Sequence, residues 1–254
     1  IPDSVSLTPA IPQAWDGITT KCREGGIEIT SHTVTFAIDV TTAGSLSFTT
    51  TQGRKYVWEL VDSTHVVRSM PHHNGTVLTT VQTGVITNKD PKITLTWAVG
   101  TNPNKANTSN SHNAIRLFAT TDGGAAYFFH SQTVISTPDL NGFTVTITDT
   151  ITDAVLATGA AIEYNSPPPP ATFMAKFENK LVAGGTTSTK GISALDPVQN
   201  NVLYYALPDE PEHWPRNLTF NTSVNAIPFR DQDGDVLMGG IQVNRVFLVG
   251  LRNS

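Results

Sequence analysis

The chain carries one cysteine, Cys22, which rules out an internal disulfide framework and an all-cysteine zinc cage. Alone, Cys22 reads as a buried or bystander thiol. No apolar run approaches the ~18 residues that a membrane-spanning helix needs, and Ile1-Pro-Asp-Ser does not open a signal peptide, so stable membrane insertion is not expected. Basic runs are missing as well. With a formal charge of −5, the chain lacks the clustered Lys and Arg that grip phosphates, and sequence-specific nucleic-acid binding is not expected. Charged residues make up only 15% of the 254, against about a quarter in an ordinary globular protein. Thr, Ser, Asn and Gln must therefore cover much of the surface, a texture common in secreted and virion β-proteins. There is no Gly-x-Ser-x-Gly elbow, no Walker loop and no His-Glu-x-x-His, and no amphipathic helix of three turns.

What is present is alternation. Val34/Phe36/Ile38/Val40, Leu46/Phe48, Tyr56/Trp58/Leu60, Ile93/Leu95/Trp97, Ile115/Leu117 and Phe143/Val145/Ile147 each put apolar side chains on one face of a strand. Turn signals separate them: Gly25-Gly26, Asn74-Gly75, Asn88-Lys-Asp-Pro91, Asp122-Gly-Gly124 and Asn141-Gly142. The expected fold is all-β, an antiparallel sandwich of the immunoglobulin or fibronectin type III kind followed by propeller-like sheets of short strands. One short helical turn is expected within residues 149–160.

Four prolines, Pro167 to Pro170, can be neither helix nor inner strand and mark a stiff seam. We therefore expect a leader with a first strand over residues 1–38, a sandwich over 39–166 and a partial propeller-like segment over 167–254. Strands are expected there at Phe173–Lys176, Lys180–Ala183, Val202–Tyr205, Val236–Met238 and Val243–Val249. That amounts to about two blades, too few to close a ring. The first residue is not methionine, and the last segment stops just after an apolar strand, so a fragment of a longer chain is expected.

Several clusters invite a functional reading, and each has a plainer one. Asp231, Asp233 and Asp235 with Gly234 give calcium-like spacing, but Gln242 stands where an EF-hand needs its twelfth-position glutamate, and an acidic hairpin turn explains them. His72 and His73, with His65 nearby, suggest zinc, yet adjacent strand residues point to opposite faces. His112, His130 and His213 have no sequence neighbour to orient them as bases. Asp209, Glu210 and Glu212 beside Trp214 could flank and stack on a sugar, although their interleaved prolines read as a structural corner. Tyr127, Phe128 and Phe129 read as core packing with Tyr127 at an edge. Asn74, Asn107, Asn217 and Asn221 match a glycosylation pattern that chance supplies in a chain so rich in Asn and Thr. No catalytic, cofactor or metal residue is assigned from these clusters, and no cofactor is expected.

Five stretches in order resemble tail-associated structural proteins of bacteriophages. Ile115-Arg-Leu-Phe-Ala-Thr-Thr-Asp-Gly-Gly-Ala-Ala-Tyr-Phe-Phe129 resembles their fibronectin-like hairpin "R-x-Y-R-T-x-D-G-G". Tyr56-Val-Trp-Glu-Leu-Val with Val67-Arg-Ser-Met-Pro71 resembles that module's first strand pair. Thr148-Asp-Thr-Ile-Thr-Asp153 with Leu156-Ala-Thr-Gly159 resembles its exit, "Y-T-D-x-x-x-D-x-x-L". Lys176-Phe-Glu-Asn-Lys-Leu-Val-Ala-Gly184 is similar to the propeller pair "H-K-N-R-L-W-L-A-G". Asn201-Val-Leu-Tyr-Tyr-Ala, Glu210-Pro-Glu-His-Trp-Pro215 and Asp233-Gly-Asp235 follow in the family's order. The resemblance implies a structural protein of the virion tail, a nozzle, hub or tube-associated ring subunit. Its implied partners are other tail or portal/adaptor proteins and further copies of itself in a homo-oligomeric ring. A receptor-binding or carbohydrate-binding appendage is the alternative, and a polysaccharide depolymerase a more distant one.

Overall fold

The computed structural model describes residues 13–14, 23–27, 34–72, 78–98, 112–135, 143–166, 168–169, 171–185, 202–217, 222–223, 225–228 and 236–252. The chain divides into two compact units, Glu28–Glu163 and a second made of Ile1–Ile27 with Tyr164–Ser254. The return to the split unit falls just ahead of the prolines. Its N-terminal part contributes a small antiparallel pair, β1 (Gln13–Ala14) and β2 (Arg23–Glu24).

The continuous unit is an antiparallel sandwich. Its strands are β3 (Val34–Asp39), β4 (Ala43–Phe48), β5 (Lys55–Asp62), β6 (Val67–Arg68), β7 (Val81–Gln82), β8 (Ile86–Lys89), β9 (Lys92–Trp97), β10 (Ala114–Ala119), β11 (Phe128–Val134) and β12 (Phe143–Thr148). One sheet runs β11-β10-β5-β6 with β7 also on β5, another runs β12-β9-β3, and β4 pairs with β8. The six alternating runs lie in these strands, apart from Val40, which falls just past the end of β3. The expected helical turn is α1 (Asp153–Leu156), held down by buried Leu156.

Trp58 from β5 meets Trp97 from β9 edge-on at 5.4 Å, so the two larger sheets close on each other through indole rings. Ile93, Leu95, Ile115 and Leu117, all fully buried, fill the layer around them. Side chains of this size each contribute about 1.5–3 kcal/mol on burial. The outer face of β12-β9-β3 is rich in threonine. Register places Thr35, Thr96 and Thr144 in one row, and Thr144 donates its hydroxyl to Thr96 Oγ1 at 3.3 Å. Hydroxyls fill that row, and the charges on this face lie at the strand ends, where Asp39 stands opposite Lys92.

Between β4 and β5 the chain turns through Gly53 at φ 59°, where a Cβ would lie 2.1 Å from the Gly84 carbonyl oxygen. Only glycine fits that crossing.

The split unit is also all-β. Its strands are β13 (Asn165–Ser166), β14 (Phe173–Phe177), β15 (Lys180–Gly184), β16 (Val202–Tyr205), β17 (Trp214–Asn217), β18 (Thr222–Ser223), β19 (Ala226–Pro228), β20 (Val236–Val243) and β21 (Val246–Arg252). A four-stranded antiparallel sheet, β14-β15-β16-β19, stands beside a short β13-β17-β18 sheet and the β20-β21 hairpin. The expected break after Met238 is absent, because β20 continues to Val243. The turn falls instead at Asn244-Arg245, inside the strand expected over Val243–Val249. Asn244 adopts φ 56°, a left-handed value that Asn tolerates and that opens a tight hairpin.

Truncating the inter-sheet contact with Trp97→Ala should cost the sandwich about 3–5 kcal/mol. Urea denaturation followed by near-ultraviolet circular dichroism would show the lowered midpoint.

Candidate functional site

The densest polar cluster lies at one end of the sandwich, and it is buried. Arg54, just before β5, and Asp149, just after β12, are both fully inaccessible, with Arg54 Nη1 donating to Asp149 Oδ2 at 2.6 Å. The same guanidinium donates to the Ile151 carbonyl at 2.8 Å and to Asp153 Oδ1 at 2.5 Å, and it lies over the Phe48 ring at 4.7 Å. Tyr56 Oη donates to Asp149 Oδ2 at 2.6 Å, and the Ile151 N–H to Oδ1 at 2.9 Å. His130 Nε2 sits 2.9 Å from Oδ1, at ion-pair distance but not aligned as a hydrogen bond.

Burial alone would raise the Asp149 pKa, but His130, Arg54 and Tyr56 together hold it at about 2. Burial and the adjacent carboxylate push the Tyr56 phenol far up. Burial opposes the charge on Arg54, but Asp149 and Asp153 outweigh it and raise its pKa. Asp149 is therefore an ionised anchor.

The cluster continues outward. Asp153 Oδ2 accepts the Asp122 N–H at 3.0 Å, while the Asp122 carboxylate accepts the Thr49 N–H at 2.7 Å and the Thr50 hydroxyl at 2.6 Å. Four chain segments are thus tied at one end: the exit of β4, the start of β5, the β10–β11 turn and the exit of β12. Every oxygen described in it is engaged within the fold, which makes it a structural clasp.

A second buried acid behaves differently. The second face of β5 is covered too, and Glu59 there is fully inaccessible with neither carboxyl oxygen hydrogen-bonded. Arg116 Nη1 lies 3.9 Å from Oε1, while Arg116 Nε donates to Gln132 at 2.9 Å. Burial raises the Glu59 pKa to about 8 against the pull of Arg68 and Arg116, with Glu163, itself paired to Arg68, adding to the rise. Glu59 therefore sits largely protonated at neutral pH.

The sequence candidates disperse. His65 Nδ1 pairs with Asp62 Oδ2 at 2.6 Å in its own turn, and His72 stacks on Trp58 at 4.6 Å. His112 is buried, and His213, expected to have no sequence neighbour to orient it, is buried against Glu210 three residues before it. His130, with Nδ1 2.9 Å from the Ser131 hydroxyl, gains Asp149 through the fold. Glu212 Oε2 accepts the Gly26 N–H at 2.7 Å, joining the two parts of the split unit. Asp209 takes φ 59° and accepts from Asn179 Nδ2 at 3.3 Å. Trp214 is only 1% exposed and donates its indole N–H to the Pro211 carbonyl at 2.9 Å, so it is a core residue and not a sugar platform. Tyr127, Phe128 and Phe129 are all half-buried, with Arg116 over the Phe129 ring.

Cys22, His73, Asn74, Asn107, Asn221, Asp231, Asp233 and Asp235 lie outside the described residues. Among the described residues no three His, Cys, Asp or Glu side chains gather as a metal site. No protein-family model, curated protein or solved structure matches the chain.

Breaking the clasp from either side strands a buried charge. Arg54→Met or Asp149→Asn should each destabilise the sandwich by about 3–5 kcal/mol, and the double variant by less than the sum. Denaturation midpoints of the three variants measure this. Glu59 acts with the opposite pH sign from a paired acid: its folded pKa of about 8 exceeds the ordinary 4.5, so the folded state holds the extra proton between those values. Stability from this group is fully present below 4.5 and lost as pH rises toward 8. Glu59→Gln should flatten that decline in denaturation curves taken across the window.

Proposed function

We propose that the chain is a structural subunit of a bacteriophage tail, a nozzle, hub or tube-associated ring component that works by protein–protein assembly and carries out no turnover. The observation that carries the assembly reading is the outward face of the β20-β21 hairpin, where Ile241, Val243, Val246 and Leu248 stand exposed side by side. A contiguous apolar surface of this kind marks an interaction site. The edges agree with it. Among the described residues the hairpin pairs with no third strand, and β3 and β12 bound their sheet on either side. Uncovered antiparallel edges invite pairing with another chain, and a neighbouring subunit that completes them converts the liability into an assembly bond.

The narrower assignment to a phage tail is supported by the five ordered resemblances. Its partners are then other tail or portal/adaptor proteins, with one heterologous interface repeated around an axis giving a ring. Within such a ring the net charge of −5 gives a lumen that weakly repels DNA and lets it slide. Antibody raised against the chain should label the tails of purified phage particles in electron micrographs, and the polypeptide should run among their structural bands. Its absence from purified particles would overturn the proposal.

A further inference from the structure

The split unit builds one hairpin twice. Glu178 at φ 52° and Asn244 at φ 56° open the two turns, β14 to β15 and β20 to β21. Counted outward from the turns, the opposed pairs Phe177/Lys180, Lys176/Leu181, Ala175/Val182, Met174/Ala183 and Phe173/Gly184 correspond in turn to Val243/Val246, Gln242/Phe247, Ile241/Leu248, Gly240/Val249 and Gly239/Gly250. Period-two alternation then gives each hairpin a near face and a far face.

The near face of the first hairpin, Met174, Leu181 and Ala183, packs with Tyr204 and Trp214. Its far face, Phe173, Ala175, Phe177 and Val182, is covered by the near face of the second hairpin, Phe247 and Val249, together with Leu237. Phe177 and Phe247 lie 5.4 Å apart across that junction, and the Glu178 N–H donates to Gln242 Oε1 at 2.7 Å, setting the register. Gly240 makes room for the ring, since a Cβ there would lie 2.4 Å from Phe247 Cζ.

The far face of the second hairpin is the counterpart of that covered surface, and it is bare. Ile241 is 62% exposed, Val246 58%, Leu248 52% and Val243 48%, with Met238 at 42% on the adjoining bulge. We infer that this far face is the docking surface for a further antiparallel sheet of the same repeat, carried by a partner polypeptide. The inference rests on the assembly role proposed above and specifies its surface. The occupant presents apolar side chains at the second and fourth positions after its turn, as Leu181/Ala183 and Phe247/Val249 do. The junction already present in the unit shows the fit, and the bare face continues it by one layer. A second copy of this chain does not supply the occupant, because both its near faces are packed within their own unit.

A backbone-cyclised hairpin peptide with the sequence Phe173–Gly184, its fold confirmed by nuclear magnetic resonance, serves as the probe and is titrated into the full chain. Saturable binding is expected, weakened at least tenfold by Leu248→Lys or Ile241→Lys in the chain and by Leu181→Lys in the probe. Val66→Lys, at an exposed position of the other unit, should leave binding unchanged. The Lys variants alter exposed side chains, and far-ultraviolet circular dichroism checks that they fold. No saturable binding, or binding indifferent to Leu248→Lys, overturns the inference. Sedimentation equilibrium of the chain alone that shows a dimer dissolved by Leu248→Lys also overturns it and assigns the face to a second copy. Antibody labelling of particles is independent of all these outcomes, so the two proposals fail separately.

Discussion

The sandwich depends on one buried ion pair. Arg54 and Asp149 come from opposite ends of the continuous unit's sequence and are both fully inaccessible, so each is tolerable only with the other in place. Two charges removed from water lose more than they regain unless further hydrogen bonds satisfy them, and here Tyr56, Asp153 and the Ile151 backbone engage both carboxylate oxygens and both terminal guanidinium nitrogens, leaving only Arg54 Nε without a hydrogen bond. Such a pair adds little net stability over a well-packed apolar core, but it penalises every arrangement that separates its members. The start of β5 and the exit of β12 belong to different sheets, so the pair fixes how one end of the sandwich closes. The Trp58–Trp97 contact holds the layers by area, without that directional demand.

Glu59 shows a buried acid handled the other way, left without hydrogen bonds and kept neutral by desolvation. Its arginines make their hydrogen bonds elsewhere, Arg116 to Gln132 and Arg68 to Glu163, and Arg116 Nη1 stays 3.9 Å from Oε1. The two acids of this unit thus respond to pH in opposite directions, Asp149 favouring the fold when ionised and Glu59 when protonated.

The strand skeleton was legible because side-chain alternation is local: Tyr56/Trp58/Leu60 and Ile93/Leu95/Trp97 can be read without knowing what they face. Alternation could not show that the other face of β5 is buried as well, although a glutamate between Trp58 and Leu60 in an otherwise apolar run was a visible anomaly. The clasp was illegible for a related reason. Arg54 and Asp149 are distant in sequence, and nothing near either one names the other. His130 lacked a partner for the same cause. Trp214 was easier to read, since acids and an aromatic close in sequence can look like a sugar site but the interleaved prolines read as a structural corner, and the fold turns the indole inward and closes its N–H on Pro211. The turn at Asn244 was masked by the apolar residues on both sides, which read as one continuous strand.

The division into a continuous unit and a split one sets an order of events during synthesis. Residues 1–27 leave the ribosome well before the segment from Tyr164 onward with which they form a unit. At about 5–20 residues per second the wait is on the order of ten seconds. The contacts within Glu28–Glu163 join residues of that one continuous stretch, so they can form while the leading segment is still waiting. The Gly26–Glu212 hydrogen bond can close only afterwards, which makes it a marker for the last stage of vectorial folding.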